Sequence, residues 1–274
     1  MLIRKLITND PAVAAYAVAS GVGRIMVDIE RLGKAERQAG RSTVISDHQI
    51  SDVARIRAAV PKADILLRIN PWHDGSPDEI RAGIAAGADR IMLPMARDER
   101  EVRAAAAFGI GIVPLIETTQ AMVRLHRIVQ VPGVSEIYIG LNDLHLGLGL
   151  DFMFEIVASG LLDQMAATVR AAGLPFGFGG IATIGGGTIP AELVLAEHRR
   201  LGSTRAILSR AFSRGAATLE AFQAADLPGE LKRIDAVWQE LGGQGVDLAA
   251  RHRELQERVQ THLAAQPARG ATAC

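Results

Sequence analysis

Cysteine is nearly absent: Cys274 is the single one among 274 residues. One thiol cannot close an intramolecular disulfide or build a thiolate zinc cage, so disulfide scaffolds and cysteine-rich metal modules are excluded. Lysine is scarce as well, with Lys5, Lys34, Lys62 and Lys232 the whole supply. Schiff-base chemistry needs a lysine buried enough to lose its proton, and so few candidates argue against that route. Neither sign of charge is in excess, because 30 basic residues stand against 30 acidic ones. Without a basic footprint, neither nucleic acid nor an anionic membrane is an expected partner, which leaves small molecules. No run of about eighteen apolar residues offers a membrane span. The N-terminal stretch MLIRKLITNDPAV lacks the long apolar core and small-residue cleavage site of a signal peptide, so a cytoplasmic protein is expected.

What is present is periodic. Short apolar, β-branched runs alternate with Ala-rich helical stretches, the pattern of repeated βα units feeding a parallel sheet. Eight such runs are read as strands, at residues 2–7, 24–30, 64–70, 90–95, 111–117, 136–140, 174–179 and 205–209. Helices are expected at 11–20, 52–60, 78–87, 99–108, 119–129, 153–172 and 190–201. Eight parallel strands can close into a barrel without edges, and about 250 residues is typical of one. A doubly wound open sheet is the competing architecture, but no GxGxxG follows the first strand. The expected fold is therefore an α/β (β/α)8 barrel, one domain over residues 1–265. Helices from about 214 extend it, and 266–274 form a frayed tail. In the extension, Leu231, Ile234, Val237, Trp238 and Leu241, then Val246, Leu248, Leu255, Val259 and Leu263, recur at helical spacing. Such an apolar stripe packs either on a neighbouring subunit, giving a homo-oligomer, or back on its own barrel.

Barrels place their sites at the C-terminal ends of strands, so the polar residues there are the candidates. They are Asp28, Glu30 and Arg31 after strand two, Arg68 and Asn70 after strand three, Glu117 after strand five, Asn142 and Asp143 after strand six, and Ser209 and Arg210 after strand eight. A carboxylate ending an apolar strand such as IVPLIE or IYIGLND is costly to desolvate unless it meets a cation. Glu117 and Asp143 sit on adjacent strands, so they can converge on a hard divalent ion, Mg²⁺ or Mn²⁺, that keeps positions open for waters and substrate oxygens. The alternative is that each caps the following helix or pairs with an arginine. Two connections are longer than a βα unit needs, 31–63 and 144–173, and both leave the same face.

At this point the sequence resembles a known family. MLPM at 92–95, PLIET at 114–118, VPGV at 131–134 and IGLNDL at 139–144 are similar, in order and spacing, to the HpcH/HpaI aldolase and citrate lyase β-subunit superfamily. The resemblance implies a (β/α)8 barrel, commonly oligomeric through exchanged C-terminal helices. It also implies a class II, metal-dependent lyase that makes or breaks a carbon–carbon bond next to a pyruvate or acyl enolate. It assigns Glu117 and Asp143 as metal ligands and Arg68 as the contact to the keto oxygen and carboxylate of a 2-oxo acid. The amides of Gly140, Leu141 and Asn142 would hold that carboxylate, and Asp28 and Glu30 fall in the matching strand-two segment. The expected partners are a 2-oxo acid and an aldehyde or thioester.

The departure from the family lies at Arg31, where the aldolase branch has a catalytic histidine. Arginine does not titrate near neutrality and is a poor base. His48, His73 and His145 are the candidates to replace it, with His48, in the long loop after strand two, preferred. The citrate lyase branch also lacks that histidine, so Arg31 favours a malyl- or citryl-CoA type thioester. A barrel that binds an oxo acid without turning it over is a third possibility. Lys34 and Arg37 add cations to the same loop. The glycines at 177–180 and 185–187, with Ser209 and Arg210, suit either a phosphate seat or plain tight turns.

Overall fold

The computed structural model describes residues 1–33, 46–215 and 217–265. Eight strands form one closed, all-parallel barrel in sequence order. They are β1 (Ile3–Ile7), β2 (Arg24–Asp28), β3 (Ile65–Arg68), β4 (Arg90–Leu93), β5 (Gly111–Ile116), β6 (Ile137–Ile139), β7 (Phe176–Ile181) and β8 (Arg205–Leu208). Closure is made by β1, which pairs with β2 on one side and β8 on the other. The eight expected runs all became strands; six end one or two residues earlier than their apolar runs, where the last residues leave the ladder, while β1 ends at Ile7 as expected and β7 runs two residues further, to Ile181.

The helices between them are α1 (Pro11–Ala19), α2 (Ile50–Ala59), α3 (Ser76–Ala85), α4 (Glu99–Ala106), α5 (Thr119–Val123), α6 (Leu125–Ile128), α7 (Leu141–Gly147), α8 (Glu155–Ala158), α9 (Leu161–Ala171) and α10 (Ala191–Leu201). The chain continues through a 3₁₀ turn (Arg210–Ser213), α11 (Leu219–Ala224), α12 (Leu227–Glu240) and α13 (Leu248–Ala264). The stretch expected as one helix at 153–172 is two, broken at Gly160, whose φ of 80° is left-handed. Asn142 and Asp143, expected in a turn, lie in the first turn of α7.

The barrel interior holds Met26, Leu66, Met92, Val113, Leu115 and Tyr138, walled off from the larger shell between strands and helices. Tyr138 takes its space from β7: a Cβ on Gly177 would come within 2.4 Å of the Tyr138 ring. Beneath this layer, at the N-terminal end, Lys5, Arg24 and Arg205 converge on Glu136 at 2.5, 2.7 and 3.0 Å. Lys5 is wholly buried, and burial brings its pKa down to about 8 despite the Glu136 carboxylate. A buried lysine thus exists, but at the closed end of the barrel, opposite the face where barrel chemistry takes place.

The C-terminal helices pack on their own barrel. In α12, Leu231, Ile234 and Trp238 are buried, and Arg4 of β1 reaches Asp235 at 2.7 Å. α13 lies on α10 and α8 with Leu255 and Val259 fully buried. His252 contacts Glu197 at 3.0 Å, and Gln256 donates to the Ala158 carbonyl at 2.8 Å. The apolar stripe is therefore covered within the chain and does not itself call for a neighbour. No helix among the described residues is long and apolar enough to cross a membrane.

Candidate active site

Parallel register brings the strand ends together. Asp28 pairs in register with Arg68 across β2 and β3, and their side chains form a two-pronged bond: Arg68 Nε donates to Asp28 Oδ1 at 2.8 Å and Nη2 to Oδ2 at 2.7 Å. Asp28 also accepts from Ser46 Oγ (3.1 Å) and the Glu30 amide (3.2 Å). Glu30 Oε2 lies 3.5 Å from Arg68 Nε. Burial disfavours the Arg68 cation, yet Asp28, with Glu30 and Glu117 behind it, outweighs burial and raises its pKa above the usual guanidinium value. Asp28 uses only one edge of the guanidinium, so Nη1 makes no hydrogen bond to the described residues.

Glu117 stands at the end of β5, 5% exposed, with Oε1 accepting the Met95 amide at 2.8 Å. Met95 holds a φ of 50°, a left-handed conformation unusual for a non-glycine residue. This local strain aims its N–H at the carboxylate. On the other side, Gly140 donates to the Ile116 carbonyl at 3.0 Å, and a Cβ there would meet Glu117 Oε2 at 2.8 Å. Only glycine lets β6 approach the carboxylate so closely. Burial, then the Glu30 and Asp143 carboxylates, push the Glu117 pKa up to about 8, against the opposing pull of Arg68 and the Met95 amide.

Asp143 follows in the first turn of α7, whose N-terminus carries no side-chain cap. Leu141 is only 1% exposed, its side chain packed into the core. Among the described residues, no three His, Cys, Asp or Glu side chains close into a complete metal cage. Two hard carboxylates with a third nearby do fit an ion of the Mg²⁺ type, which keeps waters and takes substrate oxygens as ligands. A divalent cation would also reverse the charge crowding that raises the Glu117 pKa.

The histidines separate cleanly. His48, 9% exposed, accepts the Asp28 amide on Nδ1 at 3.0 Å, which puts the proton of its neutral ring on Nε2. His145 instead bonds the Leu141 carbonyl within α7, and His73 bonds Ser76 at the start of α3. Arg31 is exposed and donates to the His48 carbonyl at 3.2 Å. Lys34 and Arg37 lie outside the described residues. At the glycine-rich loop, the Gly185 amide donates to Glu192 at 2.9 Å, so a carboxylate of the chain already takes the place a phosphate would need there. Ser209 caps its own 3₁₀ turn.

The HpcH/HpaI aldolase/citrate lyase family model matches residues 6–174, more than half of the chain. The chain belongs to this family. Its members are lyases, as aldolases or citrate lyase subunits. Solved structures share the fold. The HpcH/HpaI aldolase from Desulfitobacterium hafniense DCB-2 superposes with a TM-score of 0.62 at 14% identity, covering 85% of this chain and 92% of that one. CitE from Mycobacterium tuberculosis, in complex with magnesium and pyruvate, gives 0.60 at 15%, covering 93% and 98%. An HpcH/HpaI aldolase/citrate lyase family protein from Burkholderia cenocepacia J2315 gives 0.59 at 16%, covering 88% and 95%. No curated protein matches the sequence.

Two contributors to the mouth of this HpcH/HpaI family member escape sequence reasoning. Met95 acts through its backbone, and only the preceding Pro94 hints at an unusual turn. Glu79 of α3 bonds both the amide and the side chain of Asn70 (3.0 and 2.7 Å), and Asn70 Oδ1 accepts the Arg31 and Leu32 amides (2.8 and 3.0 Å). This relay ties the exit of β2 to α3.

Proposed function

We propose that the chain is a divalent-metal-dependent carbon–carbon lyase of the class II type, acting on a 2-oxo acid through a pyruvate-like enolate. The observation that carries this reading is the convergence of Glu117, Asp143 and Glu30 beside Arg68, with the crowding of negative charge that lifts the Glu117 pKa. Glu117 and Asp143 would hold Mg²⁺ or Mn²⁺. Bound there, the ion would supply a Lewis acid for the keto oxygen as negative charge develops on it. The CitE structure with magnesium and pyruvate supports the same ligand class here.

The chain's own residues divide the remaining tasks. Arg68 Nη1 would donate to the substrate's keto and carboxylate oxygens, and Asp28 would position it by fixing the opposite edge of the guanidinium. The amides of Gly140, Leu141 and Asn142 would receive the carboxylate. In cleavage, the bond between C3 and C4 of the oxo acid breaks, its electron pair moves toward the keto oxygen, and the C4 hydroxyl proton passes to a water molecule. The methyl group of the product then needs a proton, which would come from a water molecule, and His48, with hydrogen on Nε2, would donate a hydrogen bond that positions that water. Arg31 favours a second reading, a CoA-thioester lyase of the malyl- or citryl-CoA type. Metal-dependent cleavage of malyl- and citryl-thioesters, compared with that of hydroxy-oxo acids, decides between the two.

Calorimetric titration with Mn²⁺ and oxalate, a mimic of the pyruvate enolate, tests the site itself. Oxalate binding that requires the metal and disappears in Glu117→Ala is expected. Equal oxalate affinity with and without metal would overturn the assignment.

A further inference from the structure

The threonine of PLIET, Thr118, has no part in the chemistry described above, yet it is buried and both halves of its hydroxyl are used. As the N-cap of α5 it accepts the Ala121 amide at 3.0 Å, and it donates to the Ala96 carbonyl at 2.7 Å. Capping a helix needs only the acceptor half, and aspartate or asparagine would serve as well. The donor half goes instead to the turn that follows β4.

That turn is gripped at three successive residues by side chains from the end of β5 and from α5 and its C-cap. Glu117 Oε1 accepts the Met95 amide at 2.8 Å, Thr118 Oγ1 donates to the Ala96 carbonyl, and Arg124 Nη1 donates to the Arg97 carbonyl at 3.0 Å. The first of these residues is the left-handed one, Met95, with a φ of 50°. A non-glycine residue keeps that conformation only where its surroundings hold it. Ala96 is fully buried, so its carbonyl, once released, would have no water to bond. The bond from Thr118 therefore fixes the chain immediately after Met95, and with it the direction of the Met95 N–H. The turn holds the carboxylate in its place: with Oε1 on the Met95 amide, Oε2 stays on the β6 side against Gly140, three residues before Asp143.

We propose that Thr118 is the positioning residue for the Glu117 carboxylate, locking the strained turn at Met95 so that Oε1 stays occupied and Oε2 stays on the β6 side. Thr118 touches neither substrate nor ion and acts through Ala96, Met95 and Glu117. Its bearing on metal affinity rests on reading the mouth as a divalent-ion site, whereas its hold on Glu117 does not. Groups that orient the ligands of an ion commonly set its affinity by about one to two orders of magnitude.

Four variants of the full chain test this. Thr118→Val keeps the shape and removes both hydrogen bonds, Thr118→Ala removes them with less crowding, and Thr118→Ser keeps them. Thr218→Val is the control for lost helix capping: Thr218 Oγ1 accepts the Ala221 amide at 3.3 Å at the start of α11, which makes none of the three bonds to the β4 turn. Mn²⁺ affinity by calorimetry, and hydrogen exchange of the Met95 amide in the metal-free protein by nuclear magnetic resonance, are the two readouts. Mn²⁺ affinity lower by about tenfold or more, with faster Met95 exchange, is expected in Thr118→Val and Thr118→Ala. Wild-type values of both are expected in Thr118→Ser and Thr218→Val. Unchanged readouts in the valine and alanine variants at position 118, or an equal loss in Thr118→Ser or Thr218→Val, would overturn the proposal. A wild-type protein that binds no Mn²⁺ would refute the metal reading of the mouth. In that case faster Met95 exchange in Thr118→Val would still uphold the hold on Glu117, and unchanged exchange would refute it as well.

Discussion

Glu117 carries the largest conflict at the residue scale, since it is a buried carboxyl facing two others. Its pKa in the fold, about 8, lies above the ordinary value of 4.5. Folding therefore disfavours the charged form. The penalty is absent below the unfolded pKa and grows as pH rises through the folded one. The metal-free protein should lose stability from this group between about pH 5 and 8, on the order of a few kcal/mol. In thermal melts across that range, Glu117→Gln should flatten the decline and exceed wild-type Tm at pH 8, while losing any stabilisation by Mg²⁺. A wild-type Tm at pH 8 above that of the metal-free variant would contradict this. Such trade between stability and a charged site is general. Glu117, Asp143, Arg68, Asp28 and Glu30 were legible as polar residues ending apolar strands, each too costly to bury without purpose. Met95 and Glu79 were not, because a backbone amide leaves no side-chain signature and a helix carboxylate three elements away acquires its role only through the fold.

Among the elements, the junction of β6 and α7 is the tightest constraint on the site. A methyl group at position 140 would press on Glu117 Oε2 and Cβ at 2.8 and 2.9 Å. Neither β5 nor β6 can retreat, since the Gly140 amide binds the Ile116 carbonyl. Gly140→Ala should therefore displace the carboxylate, weakening Mn²⁺ affinity in calorimetry by about tenfold or more and lowering stability by about 1–3 kcal/mol, with an unchanged circular dichroism spectrum. Unaltered affinity would show that Glu117 does not need its present position. The strands were readable because each is a compact β-branched run between glycine or polar turns. Helix boundaries were less so: the 3.6-residue apolar period continues across Gly160 and across the Gly242–Gly243 pair, and glycine at these points ends a helix that hydrophobicity alone extends.

For the whole molecule, a neutral total of 30 against 30 conceals a polarised barrel. Acids gather at the C-terminal mouth, and three cations meet one acid at the base. The Glu136 pKa is lowered to about 2: burial opposes the charge, but Lys5 and Arg24 outweigh it. Glu136→Gln would leave Lys5, Arg24 and Arg205 facing one another in a buried space. A loss of about 3–5 kcal/mol in urea unfolding is expected, of the size seen when one partner of a buried ion pair is removed. A loss below about 1 kcal/mol would mean that water reaches this layer. The barrel itself was legible from eight repeats in one chain. This ionic base was not, because Lys5 and Glu136 are 131 positions apart and meet only on closure.

The central claim is that Glu117, Asp143 and Arg68 form a metal-dependent site that stabilises a pyruvate enolate. Its most direct test is the exchange of pyruvate methyl protons with deuterated solvent, followed by nuclear magnetic resonance at high enzyme concentration. Exchange that requires Mg²⁺ or Mn²⁺ and is abolished in Glu117→Ala is the expected result. No exchange with any divalent ion, or exchange that persists in Glu117→Ala, would contradict the claim.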